Sequence, residues 1–483
     1  MKKTTSLIIL AGTLFSAAYA QTDVDAFRFS RGSITGTGRF TGMSGAFGAL
    51  GGDFTSLSYN PAGIAVYRSS EFTFTPSIYV GKTGSTFLGQ SYDESKYNFN
   101  FGNVGLIYTK KLNDSNSPGW KSWNFGIGYN RLSNFHNRSY YEGLNTSNSL
   151  VDMFAEQAGG HDPSNLDPFF EGLAYETYLI TDSANDYIST FLHGSDVKQR
   201  RTSETRGAIG ETVFSFGGNY SNKFYFGASL GFKSLRFVEN STYEEFDPDT
   251  AIDNFHSLKF QQDLTTRGVG FNFKIGMIFR ANDMVRLGAA IETPTWYSMH
   301  DDYKTSMIAD VDSNEFTFES PDGSFDYDLT TPFKAMGSIA LVFGQQGLFS
   351  VDYEFSDYGE ARFDAGGSPY SDVNNLIRRK YMETHTIRAG TEWIYENLAF
   401  RAGISFVTSP LNNSFREGGQ DFVKKGFSLG FGYREANMFF DLGYARTMSN
   451  EFFQPYTLSY ESVSGVKSDV VTNNFTATLG FKF

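Results

Sequence analysis

Apolar and polar residues alternate with a period of two in segment after segment of this chain, and this pattern limits the possible folds more than any other feature. In residues 123–130, for example, Trp, Phe, Ile and Tyr occupy every second position, and Asn and Gly occupy the positions between them. A period of two places one set of side chains on each face of a β-strand. Similar stretches lie at 72–74, 97–101, 224–232, 269–279, 285–291, 333–343, 349–355, 387–395, 398–406, 427–433, 438–444 and 475–483. The chain is therefore predicted to be all-β, with one apolar face on its sheet.

The other face and the connections favour a closed barrel over a soluble sandwich. That face carries Gly, Asn, Ser and charged residues, including Lys233, Lys274, Arg286, Asp352, Glu354, Arg388, Glu392, Arg401 and Asp441. Short connections at 219–222, 281–283, 344–347, 396–397 and 435–437 alternate with long polar loops at 132–206, 238–263, 293–330, 357–383, 409–424 and 446–470. Short turns at one rim and long loops at the other are typical of an outer-membrane barrel. We predict that residues 69–483 form a transmembrane antiparallel β-barrel of about 14 strands, with a lumen wider than its own side chains fill.

Composition agrees with this class of protein and excludes others. Aromatic residues make up 17% of the chain, yet the mean hydropathy is −0.32. Beyond residue 20 no apolar run approaches the roughly 20 residues that a transmembrane helix needs. The chain has no Cys, which excludes structural disulfides and Cys-ligated metal. Its net charge of −13 argues against binding to nucleic acid, and we attribute the excess of acidic residues to solvated loops.

Residues 1–20 have the pattern of a secretory signal peptide. Lys2 and Lys3 precede an apolar stretch at 7–15, and Ala18-Tyr19-Ala20 matches a small-x-small cleavage site. The chain ends on Phe483 within an amphipathic stretch, and a terminal aromatic residue of this kind resembles the signal that the outer-membrane barrel assembly machinery binds. We therefore expect export to the outer membrane, contact with its lipid and lipopolysaccharide, and a monomeric barrel.

A glycine-rich segment lies between the signal peptide and the first alternating stretch. It ends on the motif Ser-Tyr-Asn-Pro-Ala-Gly-Ile-Ala at 58–65, in which Asn-Pro is a turn signal. Nucleotide binding is excluded, because Gly36-Thr37-Gly38 lacks the third glycine, the preceding strand and the Lys-Ser/Thr pair of phosphate-binding loops. Glycine lets backbone pack closely. We predict that residues 21–68 form a compact hatch inside the barrel.

The longest loop, 132–206, contains two stretches with helical spacing, separated at Asp162-Pro163. Apolar residues recur in the first from Leu150 to Ala158 and in the second from Phe169 to Tyr178. Two short helices over the barrel mouth could form a self-packed cap. Alternatively, Phe154, Phe169 and Phe170 could offer an apolar landing site for a ligand.

Taken together, the signal peptide, the glycine-rich hatch, the motif at 58–65 and the number of strands resemble the FadL family of outer-membrane channels for hydrophobic compounds. The resemblance implies passive uptake of long-chain fatty acids or aromatic hydrocarbons. It assigns Asn60, Pro61 and Ala62, with the adjoining Gly63, to the hatch that gates the lumen. It also implies a lateral exit into the membrane at an inward kink of the third strand, where Gly126 and Gly128 permit a kink. The family's external helices belong to the third and fourth loops, whereas here they are expected in the second.

Two inward arginines are candidates for pairing with a ligand carboxylate. Arg388 and Arg401 lie on the polar face of predicted strands, but Glu354 and Glu392 lie on neighbouring strands. Structural ion pairs between strands are the favoured alternative.

Other functions are weakly supported by the sequence. No cofactor is implied, and none of His136, His161, His193, His256, His300 and His385 has a Ser and an acid at the spacing of a catalytic triad, so we predict that the chain is not an enzyme. The stretch 310–314 begins like a calcium loop but lacks the required glycine, and no metal site is predicted. Two alternatives remain open: a plugged barrel that handles secreted proteins, and a general water-filled porin.

Overall fold

The computed structural model describes residues 21–112, 118–183, 186–191, 195–366, 370–419 and 421–483. The predicted signal peptide and His193 lie outside these residues. The strands are β1 Glu71–Phe87, β2 Gln90–Lys111, β3 Trp120–Asn134, β4 Asn137–Asn145, β5 Ile180–Ser183, β6 Asp186–Ser189, β7 Val197–Tyr220, β8 Phe224–Phe246, β9 Phe255–Arg280, β10 Val285–Glu292, β11 Trp296–Val311, β12 Asn314–Glu319, β13 Gly323–Thr330, β14 Lys334–Phe343, β15 Gly347–Asp357, β16 Arg362–Asp364, β17 Glu383–Tyr395, β18 Leu398–Val407, β19 Lys424–Glu435, β20 Met438–Phe453 and β21 Val466–Lys482. The helices are α1 Asp23–Ser30, α2 Gly38–Gly42, α3 Leu150–Ala158, α4 Glu171–Glu176 and α5 Ser371–Lys380, with short 3₁₀ helices at Phe54–Ser58, Pro61–Val66, Pro163–Asn165, Tyr358–Glu360 and Asn413–Phe415.

Fourteen strands close into one antiparallel ring, which confirms the predicted barrel and its strand number. Around the ring they are β1, β2, β3, β7, β8, β9, β10, β14, β15, β17, β18, β19, β20 and β21. Closure is direct, because β1 pairs with β2 on one side and with β21 on the other. The tight turns predicted between β7 and β8, β9 and β10, β14 and β15, β17 and β18, and β19 and β20 are all present.

The apolar face of the ring is exposed and its polar face is buried, the reverse of a soluble protein. On β3, Phe125 is 51% exposed and Ile127 is 45% exposed, whereas Asn124 and Asn130 have no exposed surface. The charged residues predicted on the polar face include Lys274, which is likewise buried. An exposed apolar surface of this extent is typical of a barrel that contacts lipid.

Several strands continue well beyond the apolar band, and this corrects the predicted loops. Residues 238–263 were expected to form a loop, but β8 runs to Phe246 and β9 begins at Phe255, so 247–254 alone connect them. The predicted loop 293–330 likewise contains β11, β12 and β13. Beyond the band both faces of a strand are polar, so the alternation in hydrophobicity ends although the backbone pairing continues.

Two wall strands are interrupted at proline. Pro294 separates β10 from β11, and Pro332 separates β13 from β14. Proline has no N–H to donate to a neighbouring strand, so the ladder breaks there. Because β10 pairs with β14 and β11 pairs with β13, both interruptions lie at the same height of the wall.

The loop at 132–206 contains the two predicted helices, α3 and α4, which confirms their presence in the second long loop. They pack with the β5–β6 hairpin into an apolar core that also includes Phe87 of β1 and Phe255 of β9. Among the helices within the described residues, none combines the length and the hydropathy needed to cross a membrane.

Candidate functional site

The motif residue Asn60 connects three parts of the chain. Its side-chain oxygen accepts a hydrogen bond from the Ala62 amide at 3.0 Å, which caps the 3₁₀ helix Pro61–Val66. Its amide nitrogen donates to the Gly48 carbonyl at 2.6 Å and, more weakly, to the Met277 carbonyl of β9 at 3.4 Å. Asn60 is 1% exposed, and a Cβ on Gly276 would lie 2.0 Å from its oxygen. The motif is therefore fastened both to its own segment and to the wall.

Pro61, Ala62 and Gly63 shape the same 3₁₀ helix. Pro61 occupies its first turn, where the missing N–H costs nothing. Ala62 has no exposed surface. A Cβ on Gly63 would lie 2.6 Å from the Ser56 hydroxyl and 3.0 Å from the Gly51 Cα, so a larger residue would separate these backbones.

Residues 21–67, which we call the N-terminal segment, are held by polar contacts to strands on different sides of the ring. Arg39 binds the Glu392 carboxylate of β17 through two hydrogen bonds, of 2.8 and 2.9 Å. The Gly48 amide donates to Asp352 of the neighbouring strand β15 at 2.9 Å. On the opposite side of the ring, the Asn130 side chain of β3 donates to the Ser58 hydroxyl at 2.7 Å. Burial alone would lower the pKa of Arg39, but the Glu392 carboxylate outweighs burial and raises it. Arg39 therefore remains a cation in its buried site.

Glycines of the wall strands admit the backbone of the N-terminal segment. A Cβ at each of these positions would lie within 3.1 Å of backbone atoms in residues 38–62. They are Gly227 of β8, Gly288 of β10, Gly390 of β17, Gly403 of β18, Gly430 of β19 and Gly443 of β20. The segment and the ring are thus complementary in shape over many strands.

Gly126 and Gly128 serve the same kind of contact. A Cβ on Gly126 would lie 2.9 Å from the Ile64 side chain, and one on Gly128 would lie 2.5 Å from the Phe54 ring. Both glycines lie in the part of β3 that pairs regularly with β2 and β7. The structure thus places them against the N-terminal segment, and the irregularity of β3 lies elsewhere.

The register of β3 shifts between Arg131 and Ser133. From this point the wall strand is separated from β2. In the described ladders, residues 90–101 of β2 pair with β1 alone, and β4 pairs with β7 alone. Polar side chains span the separation, because Asn98 of β2 lies 3.1 Å from His136. On β2, Tyr97 and Phe99 are 69% and 65% exposed beside it.

The N-terminal segment contacts the displaced part of β3. The Ser33 amide donates to the Leu132 carbonyl at 2.9 Å, and the Ser133 hydroxyl donates to the Arg31 carbonyl at 3.0 Å. The Thr35 hydroxyl donates to the Arg131 carbonyl. Residues 31–35 therefore satisfy backbone groups that β2 no longer pairs.

The aromatic residues predicted to receive a ligand are used by the cap itself. Phe154 is fully buried in the cap core, where its ring lies 5.6 Å from that of Phe260. Phe169 packs on Tyr303 at 4.7 Å, and Phe170 lies 6.2 Å from Phe260. The contacts agree with a self-packed cap, which was one of the two alternatives.

The two candidate arginines are paired with wall carboxylates. Arg388 contacts Glu354 at 3.0 Å, and Arg401 contacts Glu392 at 2.5 Å and Asp441 at 2.7 Å. These ion pairs confirm the favoured alternative, in which the arginines and carboxylates form structural ladders.

Helix α1 is a feature that the sequence analysis missed. Its Phe27 ring packs between Tyr358 at 4.9 Å and Tyr381 at 5.2 Å, and Phe29 packs on Phe135 and Phe237. These rings belong to an apolar cluster that includes residues of β8, β11 and β13. An eight-residue helix with two acids in its first turn has no long apolar stripe, which explains why the pattern gave no signal.

Histidines and acids do not assemble into a reactive centre in the part of the chain described here. His300 bonds to Asp326 at 2.6 Å and His385 bonds to the Tyr353 hydroxyl at 2.8 Å, both on exposed surface. Within the described ranges no group of three or more His, Asp or Glu residues is placed to hold a metal ion. The stretch 310–314 forms the tight turn between β11 and β12.

Comparison with known proteins identifies structures that share this fold. No family model matches the chain, and no curated protein sequence matches it. Solved structures do match. The Pseudomonas putida toluene transporter TodX is 15% identical, with a TM-score of 0.55 over 94% of this chain and 99% of that one. A Pseudomonas aeruginosa FadL homologue is 12% identical, with a TM-score of 0.57 over 94% of this chain and 100% of that one. The chain has the FadL-type fold. The Ralstonia pickettii toluene transporter TbuX is similar at 12% identity, with a TM-score of 0.50 over 94% of this chain and 100% of that one. TodX and TbuX are both toluene transporters.

Proposed function

We propose that this protein is a member of the FadL family that mediates passive uptake of hydrophobic small molecules across the outer membrane. The observation that carries the proposal is the FadL-type fold, shared over nearly the whole chain with two toluene transporters. The exposed apolar face of the ring supports a membrane location, because burying that face in lipid removes the cost of its contact with water. The pattern of residues 1–20 supports export.

We further propose that the N-terminal segment is a hatch that closes the lumen. The proposal is supported by its contacts with strands on different sides of the ring, including the Arg39–Glu392 pair at β17 and the bond from Asn130 of β3 to Ser58. The wall glycines support it as well, since glycine at these positions lets the segment's backbone lie directly against the wall.

Deletion of residues 23–66 tests the hatch. The intact chain should conduct ions poorly in a planar bilayer, whereas the deletion variant should conduct as an open pore at the same amount of assembled barrel. A general porin would conduct before the deletion and be unchanged by it. Equal conductance in the two proteins would therefore refute the hatch.

We propose that the ligand leaves sideways through the separation between β2 and the displaced part of β3. Lateral release avoids exposing an apolar ligand to the aqueous periplasm, which costs about 0.8 kcal/mol per CH₂. The residues of β2 that precede Asn103 are not paired with β3, and Tyr97 and Phe99 beside the separation are highly exposed. Both observations support an exit at this place.

A reversible cross-link tests the exit. The natural chain has no Cys, so Asn98→Cys with His136→Cys provides the only thiols for a short bis-methanethiosulfonate reagent. Cross-linking should stop uptake of a hydrophobic ligand, and reduction should restore it. The control pair is Ser203→Cys with Ser241→Cys, which face each other on the paired strands β7 and β8. Unimpaired uptake with the β2–β3 cross-link in place would contradict a lateral exit there.

We propose an uncharged ligand rather than a fatty acid, on the pairing of three arginines and on an apolar ring cluster, while the buried guanidinium of Arg131 has nitrogens without a hydrogen-bond partner among the described residues. Arg388 and Arg401 are already paired with carboxylates, and so is Arg28 of α1, which contacts Asp25. To bind at these arginines, a ligand carboxylate would have to displace one of their partners. The ring cluster around Phe27 and Phe29 suits an aromatic hydrocarbon. Competition between toluene and oleate for uptake distinguishes the two classes, and preference for oleate would overturn this assignment.

A further inference from the structure

The predicted cleavage after Ala20 would make Gln21 the first residue of the mature protein, and the surroundings of Gln21 are unusual for a chain end. Its side-chain amide donates to Asp301 of β11 at 2.7 Å and accepts a hydrogen bond from the Tyr370 hydroxyl at 2.8 Å. The next residue, Thr22, donates its backbone N–H to Asp25 at 3.0 Å. The start of the mature chain is thus fixed between α5 and the wall.

The charges around this position do not balance. Asp23 pairs with Lys380 at 2.6 Å, and Asp25 pairs with Arg28. Asp301 is 1% exposed, and in the described part of the chain it has no ion pair. Its hydrogen bonds come from uncharged donors, the Gln21 amide and the hydroxyls of Thr266 and Tyr327. Burial raises the pKa of Asp301, and the nearby Asp25 raises it further. One buried carboxylate in this group of three therefore lacks a cation.

We propose that the α-ammonium group created at Gln21 by removal of the signal peptide is the missing cation, and that it forms a buried ion pair with Asp301. The nitrogen belongs to the residue whose side chain already contacts this carboxylate, so the new charge arises within one side-chain length of it. An uncleaved chain carries an uncharged amide there. Processing therefore completes the binding of α1 to its site. The inference needs only the predicted cleavage site, not the proposed transport activity.

Helix α1 by itself disfavours a positive charge at Gln21, so the α-ammonium group needs nearby carboxylates. An ammonium group beside the first turn of α1 lies at the positive end of the helix dipole. Asp23 and Asp25 in that turn offset the repulsion, and Asp301 adds the counter-charge from the wall. A buried charge of this kind is stable only when it is paired and hydrogen-bonded.

The experiment is a titration of the α-amino group in the mature protein purified from outer membranes. Intact mass and terminal sequencing establish whether Gln21 is first and whether its amine is free. The amine is then dimethylated with ¹³C-formaldehyde in the unfolded state, which keeps its charge, and the refolded full mature chain is titrated by NMR. We expect a pKa above about 9, compared with about 7.7–8.0 for an unperturbed α-amino group.

Two variants separate the ion pair from a general effect of folding. Asp301→Asn should return the α-amino pKa towards 8, an approximately tenfold change in proton affinity. Asp302→Asn is the matched control, because its neighbouring carboxylate bonds to exposed Arg267 on the other face of β11 and should leave the value unchanged. A terminus other than Gln21, cyclisation of Gln21 with loss of ammonia, or a wild-type pKa near 8 would each overturn the proposal. If Asp301→Asn does not assemble, the wild-type terminus and pKa decide alone.

Discussion

Replacing Asn60 with Ala gives the sharpest test of how the N-terminal segment is held. The change removes the cap on the 3₁₀ helix Pro61–Val66, which costs about 1 kcal/mol. It also leaves the buried Gly48 carbonyl without its partner, at about 1–3 kcal/mol. We therefore expect the N-terminal segment, in its observed position against the wall, to be about 3 kcal/mol less stable relative to a state in which it has left the wall. Since 1.4 kcal/mol is a factor of ten, the displaced fraction should rise by about 100-fold.

The assay is ion leakage through single proteins in a planar bilayer, normalised to assembled barrel on a heat-modifiability gel. Asn60→Asp retains the oxygen that caps Ala62 but turns a negative charge towards the Gly48 carbonyl, so it should leak at least as much as Asn60→Ala. Asn437→Ala is the control, since Asn437 lies in an exposed turn between β19 and β20. If both Asn60 variants leak no more than this control, the motif does not hold a gate.

Two further outcomes follow from the packing and from the cap. Gly128→Leu should displace both the Phe54 ring and the β2 backbone at Val104, which lie 2.5 and 2.3 Å from a Cβ at this position, at a cost of about 1–3 kcal/mol, and should raise leakage. Gly337→Leu, at an open position on the exterior, should not raise leakage, and equal leakage in both variants would contradict the close contacts at Gly128. Glu245 lies at the base of α3, where burial raises its pKa to about 7. The folded cap therefore favours the protonated acid, and it should lose up to about 3 kcal/mol of stability as the pH rises from about 4.5 to about 7. Glu245→Gln should abolish that slope in amide exchange of α3, and an unchanged slope would assign the titration to another group.

The strands that contact the apolar surroundings could be predicted from the sequence, because there each residue faces either outside or inside. On β3, Phe125 and Ile127 alternate with residues of the buried polar face, and this alternation located the strand. Prediction failed where both faces become polar, as in the part of β8 beyond Val238, which keeps its pairing but loses the pattern. Backbone pairing leaves no trace in composition when neither face is apolar.

The site was only partly predictable, for a different reason. The motif at 58–65 stands out because Asn-Pro is a local turn signal, and Asn60 does cap a turn. The glycines at 126 and 128 suggested a kink, but their neighbours are Ile64 and Phe54, more than 60 residues earlier in the chain. A contact between distant segments cannot be read from either one alone. The register shift at Arg131–Ser133 carries no glycine or proline to mark it.

The central claim, uptake of hydrophobic molecules through a channel that excludes polar ones, is tested most directly by a selective uptake measurement. Cells that lack other routes for hydrocarbon are compared with and without this protein, using labelled toluene and a labelled sugar of similar size. We expect the protein to accelerate toluene entry and to leave sugar entry unchanged. Accelerated sugar entry, or toluene entry equal in both cell types, would contradict it.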